Sequence, residues 1–456
     1  MKMEIIDSPL WNDANEVMAT GETTTNYSWA ALVHYEGFDY KVLQVTQVNT
    51  VRDYIQNYTE DLTCTFLIPL GKYARKIYPN RKNLEITLIK YPLHERSINT
   101  DNSKSISSQR YKANIVGDDP SPTDGQAHEY TDEDKLDLSD ILEVHFELRT
   151  FAVDQIRFLS FGGIWRKTTT STAIRTILTK ECEKIDVDEE YKLQGITIVD
   201  GSNSTPVEQI IFTHGTPLIE AVGTMQKRWG VYNSGVGHFI QDLYWYVYPL
   251  YDTKEIDKRQ KTITLIVLPS NKYSNVERTF KINGNTTTII VTGETAMQDD
   301  DGSQYLNDGN GARFADANTQ VDSWGKTGGN KLKIKRTEQN SEFFSQDKTE
   351  NKQNYAPVVQ QRITANPYTV ASSLNARAGG YFKGVWENHD SAVLTPGIPM
   401  RIQTLDNGKL VEYEGILHHV ISRSVNIGDL SSKKYRNFAV ITVFIKKVLT
   451  EELVQE

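Results

Sequence analysis

Two short runs carry the side chains most often found in catalytic and metal sites. His418 and His419 lie in a strand-like run, and because adjacent residues of a strand point to opposite faces, the two cannot bind one ion together. We therefore expect one of them to be a core histidine whose ring N–H is hydrogen-bonded. His389, Asp390 and Ser391 form the other run, but three consecutive residues rarely make a triad, and the sequence has no GxSxG nucleophile elbow.

The polar stretch 299–355 contains two partial ligand motifs. Ser323–Thr327 (SWGKT) resembles the end of a phosphate-binding loop, but Gln320 stands where the motif needs glycine. Aspartates in the stretch could supply oxygen ligands to calcium, yet the sixth and twelfth positions counted from Asp299 are Gln304 and Asn310 rather than Gly and Glu. We therefore interpret the stretch as a solvated loop. The aspartates considered as calcium ligands are Asp299, Asp300, Asp301, Asp308 and Asp316.

The remaining candidates are weaker still. His214 is interpreted as a turn residue, and the carboxylate pairs Asp132/Asp134 and Glu189/Glu190 stand in charged runs with no apolar surroundings to raise a pKa. The sequence therefore predicts no catalytic, cofactor-binding or metal-ligating residue, and we expect the chain not to be an enzyme.

Composition narrows the class of protein. Cys64 and Cys182, the two cysteines, sit in apolar patterns, so we expect small buried side chains rather than a disulfide. The first residues, MKMEIIDSPLW, lack the apolar core of a signal peptide, and no apolar run approaches the length of a membrane span. We expect synthesis in a cytoplasm without export by a cleaved signal. A net charge of −9 argues against an open nucleic-acid-binding surface.

The stretch 213–252 organises the middle of the chain. Thr216 is the predicted N-cap of a helix with Pro217 in its first turn, and Gly230 is placed to end that helix. An aromatic strand follows, with Leu243, Trp245 and Val247 predicted on one face and Tyr244, Tyr246 and Tyr248 on the other. The apolar run Thr262–Leu268 could pair with this strand.

Elsewhere the pattern is largely that of strands, with few helices. Residues 1–27 are interpreted as an arm or an edge strand, residues 158–167 as a connection, and the insertions 98–108 and 117–137 as loops. A short helix is predicted at Lys72–Ile77 and a longer one at Thr172–Ile185. The predicted strands alternate in apolarity or are apolar throughout. They are 29–34, 40–48, 62–69, 84–91, 110–116, 141–149, 195–199, 278–282, 286–292, 379–386, 399–404, 412–419 and 435–449.

This pattern predicts a mainly β fold with an α+β middle. Two tube-like antiparallel β-barrel or sandwich domains flank a mixed α/β region. The expected boundaries are 1–155 for the first β domain with its N-terminal arm, 156–370 for the middle with the long polar loop 299–355, and 371–456 for the second β domain.

The order of these segments resembles a known family. A β domain is followed by a helix with THGTPLIEAVGTMQKRWGVYNSG, the aromatic strand DLYWYVYPLYD, the strand TITLIVL, and a closing β domain with PGIPMRI and EGILHHVISRS. This layout resembles the baseplate hub protein of contractile-tailed phages, which is related to the hub part of type VI secretion spike proteins. The resemblance covers most of the chain in layout.

The resemblance implies a structural, non-enzymatic virion protein without cofactors. In that family, a homotrimer with two tube-like domains per chain forms a pseudo-sixfold ring. The ring joins the hexameric tail tube to the trimeric central spike, contacts other baseplate proteins and lets DNA pass through its lumen without specific binding. The implied location is the tail baseplate of a virion assembled in the host cytoplasm, with no integral membrane association.

Two other functions fit the same sequence. One is another tail-tip or baseplate component, such as a distal tail or wedge protein, which would be hexameric. The other is a carbohydrate-binding β protein, since the aromatic strand Tyr244–Tyr248 could stack sugars. A glycoside hydrolase is disfavoured because no pair of carboxylates in contrasting environments is apparent.

Overall fold

A computed structural model describes most of the chain outside its longest polar segments. The described residues are 9–21, 27–92, 107–117, 140–254, 261–268, 278–296, 312–313, 337–338, 343–344, 356–357, 366–377, 379–406, 409–428 and 434–446. The expected loops 98–108 and 117–137 fall largely, and 299–355 almost entirely, outside them. The fold is mainly β with an α+β middle region, which confirms the predicted class.

The elements alternate between long strands and short helices. The strands are β1 Tyr27–Tyr35, β2 Phe38–Lys41, β3 Gln44–Asp53, β4 Asp61–Pro69, β5 Leu84–Pro92, β6 Ser107–Ile115, β7 Ile141–Arg149, β8 Ser160–Thr168, β9 Gly195–Ile198, β10 Val207–Pro217, β11 Val236–Gln241, β12 Tyr244–Pro249, β13 Thr262–Leu268, β14 Phe280–Asn283, β15 Thr286–Ala296, β16 Ala312–Arg313, β17 Thr337–Glu338, β18 Phe343–Phe344, β19 Ala356–Pro357, β20 Gly379–Glu387, β21 Pro399–Asp406, β22 Lys409–Asn426 and β23 Tyr435–Lys446. The α-helices are α1 Pro9–Thr20, α2 Leu70–Lys72, α3 Phe151–Ile156, α4 Thr170–Cys182, α5 Ala221–Arg228 and α6 Pro367–Arg377. A π-helical turn follows at Tyr73–Ile77, and 3₁₀ turns lie at Tyr78–Asn83, Glu189–Tyr191, Leu218–Glu220 and Ser391–Val393.

The first barrel is a ring of six strands in which β2 and β3 act as one bent strand. Its order is β1–β5–β6–β7–β4–β3, and β2 pairs back onto β1. Only Val42 and Leu43 separate β2 from β3; the Val42 N–H donates to Ala31 O and the Leu43 N–H to Leu67 O, both at 3.1 Å. At this bend the chain therefore leaves β1, the partner of β2, and joins β4, the partner of β3, and so completes the ring.

The second barrel is also a closed ring of six strands. Its order is β13–β15–β20–β23–β22–β21, with β21 paired to β13. Alternate residues of β20 and β23, such as Phe382, Trp386, Ile441 and Val443, are buried in its core. Closure leaves few unpaired strand edges, which protects such a sheet from unspecific pairing.

The two barrels share one strand order. When strands are numbered along each barrel from one to six, with β2–β3 counted as one, both rings read 1–4–5–6–3–2. Both also carry a helical connection between their third and fourth strands, at residues 70–83 and at residues 388–398. They differ in the first strand, because β13 runs parallel to both of its neighbours whereas β1 is antiparallel to its own.

The structure differs from the expected domain boundary at residue 371. β13 and β15 lie inside the ring of the second barrel, although the sequence assigned residues 262–296 to the middle region. The expected pairing of Thr262–Leu268 with the aromatic strand is wrong for the same reason. β13 is apolar from Leu265 to Leu268 because both of its faces are covered there, and it pairs in parallel with β15 and β21.

The interpretation of residues 1–27 as an arm or edge strand is corrected for residues 9–20. They form α1, in which Leu10, Ala14 and Val17 face one side. This face packs on the outside of the second barrel, against Ile266, Leu268 and Ile290. The apolar residues of this short segment, interspersed with polar ones, were too weak a pattern to predict a helix without the surface that covers them.

The middle region packs α4 and α5 on a two-stranded ribbon and a three-stranded sheet. β8 pairs with β10, so residues 158–167 are mostly strand and the predicted connection is wrong; β12 pairs with β11 and β9. The predicted helix at Thr172–Ile185 is found as α4. The predicted N-cap Thr216 instead belongs to β10, and its hydroxyl donates to Thr213 O, because the chain stays extended through Pro217.

Gly230 ends α5 as expected, with φ +77°. A Cβ at this position would overlap the ring of Tyr368 and would hold a conformation that L-residues adopt at a cost. Gly230→Ala should therefore lower the free energy of unfolding by about 2 kcal/mol or more. Gly223→Ala, in the middle of α5 with no atom near its added Cβ, should raise it by up to about 1 kcal/mol. Urea unfolding of both variants checks the pair, and equal effects would contradict this interpretation.

Candidate assembly site at the junction of the barrels

The two barrels are joined by one strand ladder. β3 pairs antiparallel with β22 from Gln47↔Val425 to Asp53↔His419. One edge of β3 is free to pair with β22 because the chain has bent away from β1 before β3 begins. The facing edge of β22 is free because β21 pairs with β22 only as far as Ile416. Across this seam the Tyr435 hydroxyl donates to Val45 O at 2.6 Å. The barrels thus form one continuous sheet rather than two bodies on a tether.

A buried arginine ties the ladder to the second barrel's helical connection. Arg52 Nε lies 3.0 Å from Glu60 Oε2, and Arg52 Nη1 donates to Ser391 O at 3.2 Å. Burial lowers the pKa of Arg52, but the charges of Glu60 and nearby acidic groups outweigh it and raise that pKa above its ordinary value. The guanidinium is therefore a fixed charge that holds residues of both barrels.

A second polar network brings the middle region into the same place. The Tyr54 hydroxyl donates to Gln241 Oε1 at 3.1 Å, and Gln241 Nε2 donates to Leu394 O at 2.9 Å. The Tyr248 hydroxyl donates to Tyr54 O at 2.7 Å. Phe239 packs edge-on against Tyr54 with ring centroids 4.7 Å apart. First barrel, middle region and second barrel therefore meet in one buried, hydrogen-bonded junction.

A core histidine was expected at one of positions 418 and 419; it is His418, and His419 lies on a different side of the strand. The His418 ring is buried, stacks on Phe444, and its Nε2 lies 2.7 Å from Leu250 O. Because a carbonyl can only accept, Nε2 carries the proton. His419 is half-exposed, with Nδ1 3.4 Å from Asp53 Oδ1. Burial lowers the pKa of His418 to about 4, despite the opposing bond to Leu250 O.

His418 makes stability fall in acid. Its pKa is about 4 when folded against 6.5 ordinarily, so between these values the unfolded chain binds the extra proton. Stability is fully present above pH 6.5 and falls as the pH drops towards about 4. His238 and His389, with pKa values lowered by burial to about 4 and about 3, act in the same direction.

His418→Gln retains an N–H donor for Leu250 O but cannot titrate. The decrease in urea midpoint between about pH 7 and about pH 5 should therefore be smaller by roughly a third than in the parent chain. The matched control is His34→Gln, which changes a histidine whose ring is bonded to Asp39 and Thr87 on the outside of the first barrel. An unchanged pH dependence in the His418 variant would refute the assignment.

The His389, Asp390 and Ser391 run does not form a triad. Both ring nitrogens of His389 are buried without a hydrogen-bond partner, and its ring lies 6.0 Å from that of Trp386. Burial first, and the charges of Lys90 and Arg52 second, lower the pKa of His389 to about 3. Asp390 Oδ1 accepts from the Ala392 N–H and so caps the 3₁₀ turn Ser391–Val393. The run is a structural corner that faces the first barrel.

The structure also shows the surroundings of several other residues that were weighed as candidate sites. His214 is exposed in the bulge of β10 opposite Gly162, and Glu189 pairs with Lys192 at 2.8 Å. Cys64 is buried and Cys182 half-buried, both as free thiols, and burial raises the pKa of Cys182 to about 12.

Asp132/Asp134, Ser323–Thr327 and the aspartates of 299–316 lie outside the described residues. Within the described ranges, no group of three or more His, Cys, Asp or Glu side chains could hold a metal ion.

The faces of the aromatic strand are only partly as expected. Trp245 and Val247 are buried together, but Leu243 has φ +62° in the turn before β12. Tyr244 is exposed, whereas Tyr248 is buried in the junction. Sequence reasoning also missed Arg52 and Gln241; the one available signal was an Arg–Asp–Tyr run closing a strand of Val, Thr and Asn.

Comparison with known proteins gives fold similarities only. No family model matches the chain, and no curated protein sequence matches it. Among the described residues, no helix has the length and apolarity needed to cross a bilayer. Several solved structures are similar to this chain in fold at 10% identity or less, three of which are described next.

The 43 kDa tail protein of prophage MuSo2 from Shewanella oneidensis is 10% identical with a TM-score of 0.44, covering 91% of this chain and 98% of its own. A tail protein from Neisseria meningitidis is 9% identical with a TM-score of 0.42, covering 91% and 96%. An E. coli protein described as a component of the type VI secretion system is 9% identical with a TM-score of 0.40, covering 91% and 77%.

Proposed function

We propose that this chain is a structural hub of a phage tail baseplate. Three copies form a ring of six barrels that joins a sixfold tail tube to a threefold central spike, and DNA passes through the ring. The protein acts by holding these partners in register, together with other baseplate proteins, and not by catalysis.

One observation carries this proposal: two six-stranded barrels with the same strand order lie side by side in one chain. Three chains with two equivalent barrels each present six similar units on a threefold axis. Rotational symmetry is the usual way to close such a set. A chain built this way can match sixfold neighbours on one face and threefold neighbours on the other.

The rigidity of the junction supports the same role. An adaptor must keep its two barrels at a fixed angle, since an error in that angle would prevent a ring from closing. The β3–β22 ladder, the Arg52–Glu60 pair and the Tyr54–Gln241 bond each cross from one part of the chain to another. They leave no free hinge between the barrels at this seam.

The net charge of the chain agrees with the passage of DNA. At −9, the chain carries a net charge of the same sign as DNA phosphate, which suits a channel that must not retain DNA. The middle region, which lies beside the barrels and carries the exposed pair Ile164 and Ile211 on its ribbon, is the part proposed to contact the spike.

The proposal is tested by the mass of the purified chain in solution and by cryo-EM of the same sample. A trimeric ring with sixfold-like density on one face is the expected result. A monomer that stays monomeric when a spike partner is added would refute it. A hexamer would instead favour the alternative of a distal tail or wedge protein.

The carbohydrate-binding alternative receives no support from the aromatic strand. Of Tyr244, Tyr246 and Tyr248, only Tyr244 has an exposed side chain. Tyr248 is buried and donates its hydroxyl to Tyr54 O. Sugar-dependent quenching of tryptophan fluorescence would contradict this conclusion.

A further inference from the structure

A groove in the middle region lies between helix α4 and strand β9. Its volume is about 440 Å³, within the range of ligand pockets. Arg175, Thr179 and Glu183 line it from α4, and because they are spaced four residues apart they share one flank of the helix. The half-buried side chains of Leu193 and Ile196 line it from the other side. The groove therefore offers polar groups along one wall and apolar groups along the other.

Strand β9 presents an unpaired edge to this groove. It pairs in parallel with β12, and within the described part of the chain no strand pairs with its other edge. Ile196 O is turned to that edge, where Arg175 Nη1 donates to it at 3.4 Å, a long hydrogen bond. Alternate residues of a strand turn their main-chain groups to the same edge, so Ile198 faces it as well. Such an edge is a template for one more strand.

The two ends of the groove carry opposite charges. Glu183 follows Arg175 by eight residues, which places it about 12 Å further along the helix axis. Among the described residues, neither of these two side chains is in an ion pair, whereas Glu189 beside them is paired with Lys192 at 2.8 Å. An extended segment covers about 13 Å in four residues and keeps its alternate side chains on one face. Its length between two such side chains therefore matches the distance between the charges.

We propose that this groove binds an extended segment of another protein, which adds to β9 as the fourth strand of the β11–β12–β9 sheet. The segment carries a carboxylate for Arg175 and a cation for Glu183, four residues apart. An apolar side chain midway between them covers Leu193 and Ile196. Main-chain hydrogen bonds supply the affinity in this mode of binding, and the charges select the segment. The groove belongs to the middle region alone, so the inference does not rest on the proposed ring.

Fluorescence polarisation of the full-length chain with two labelled peptides tests the proposal. The probes SETVTKS and SKTVTES place the two charges in either order, and at least one of them should bind saturably. Arg175→Glu should weaken that binding by roughly tenfold or more, and a lysine in place of the probe's glutamate should restore it to within about threefold. The matched control Arg166→Glu makes the same change of charge on β8, outside the groove, and should change binding by less than about twofold.

A second comparison separates strand addition from the attraction of charges alone. N-methylation of two successive central residues of the probe, one of which must face β9, keeps every side chain and should abolish binding. The inference is overturned if neither probe binds, if binding survives N-methylation, or if Arg175→Glu leaves it unchanged. A chain that dimerises in mass photometry, and stops doing so with Arg175→Glu, would assign the edge to a second copy and also overturns it. Trimer formation is measured separately, so failure of the ring would leave a positive result with the probes intact.

Discussion

Replacing Arg52 with alanine should lower the free energy of unfolding by about 3 kcal/mol, among the largest effects of any single charged residue in the chain. The substitution leaves Glu60, whose side chain is 23% exposed, without its partner, and removes the donor to Ser391 O. An uncompensated carboxylate in the junction costs more than the pair contributes. Urea unfolding at neutral pH measures the loss.

A double variant separates the cost of the orphaned charge from the value of the pair. Arg52→Met with Glu60→Gln removes both charges, and its stability should lie within about 1.5 kcal/mol of the parent chain. If the double variant is as unstable as Arg52→Ala, the ion pair itself stabilises the junction, and the argument from desolvation is wrong. Arg166→Ala, an exposed cation on β8, should change stability by less than about 0.5 kcal/mol.

Phe239→Ala should cost about 3 to 5 kcal/mol and should also divide the unfolding transition. Phe239 is fully buried, comes from the middle region and packs on Tyr54 of the first barrel within the core of the second. Its loss opens a cavity within the junction where the three parts meet. Differential scanning calorimetry should therefore show two heat-absorption peaks instead of one.

Phe66→Ala is the matched control for this prediction. Phe66 is equally buried but packs within the first barrel, where its ring lies 5.2 Å from that of Phe146. Its loss should cost a similar free energy without dividing the transition in the same way. A single shifted peak for both variants would show that the junction is not what couples the parts.

Local patterns in the sequence predict most individual strands because alternation is a local property. Ile141–Arg149 alternates cleanly, and the structure buries Val144, Phe146 and Leu148 on one side. A core histidine was likewise expected at one of positions 418 and 419, because a histidine within an apolar strand must satisfy a ring nitrogen in the core, but the sequence did not say which of the two it would be. These inferences need only the residue's immediate neighbours in sequence.

Partner choice between strands was not predictable in this way. The run Thr262–Leu268 is apolar on both faces, so its pattern cannot say which strands flank it; the answer depends on β15 and β21 from distant parts of the chain. The junction could not be predicted from the sequence for a related reason. Arg52 and Gln241 are ordinary polar residues in sequence, and they become important only because folding buries them against Ser391 and Leu394.

The position of α1 has a consequence for the order in which this protein is made. Its apolar face belongs to β13 and β15, which emerge from the ribosome roughly 250 residues later, or about 12 to 50 s at ordinary rates of synthesis. The first barrel can close long before that, while Leu10, Ala14 and Val17 still lack the surface that covers them. α1 is thus synthesised well before the surface that covers it, and it docks only on a second barrel in which β13 and β15 are in place.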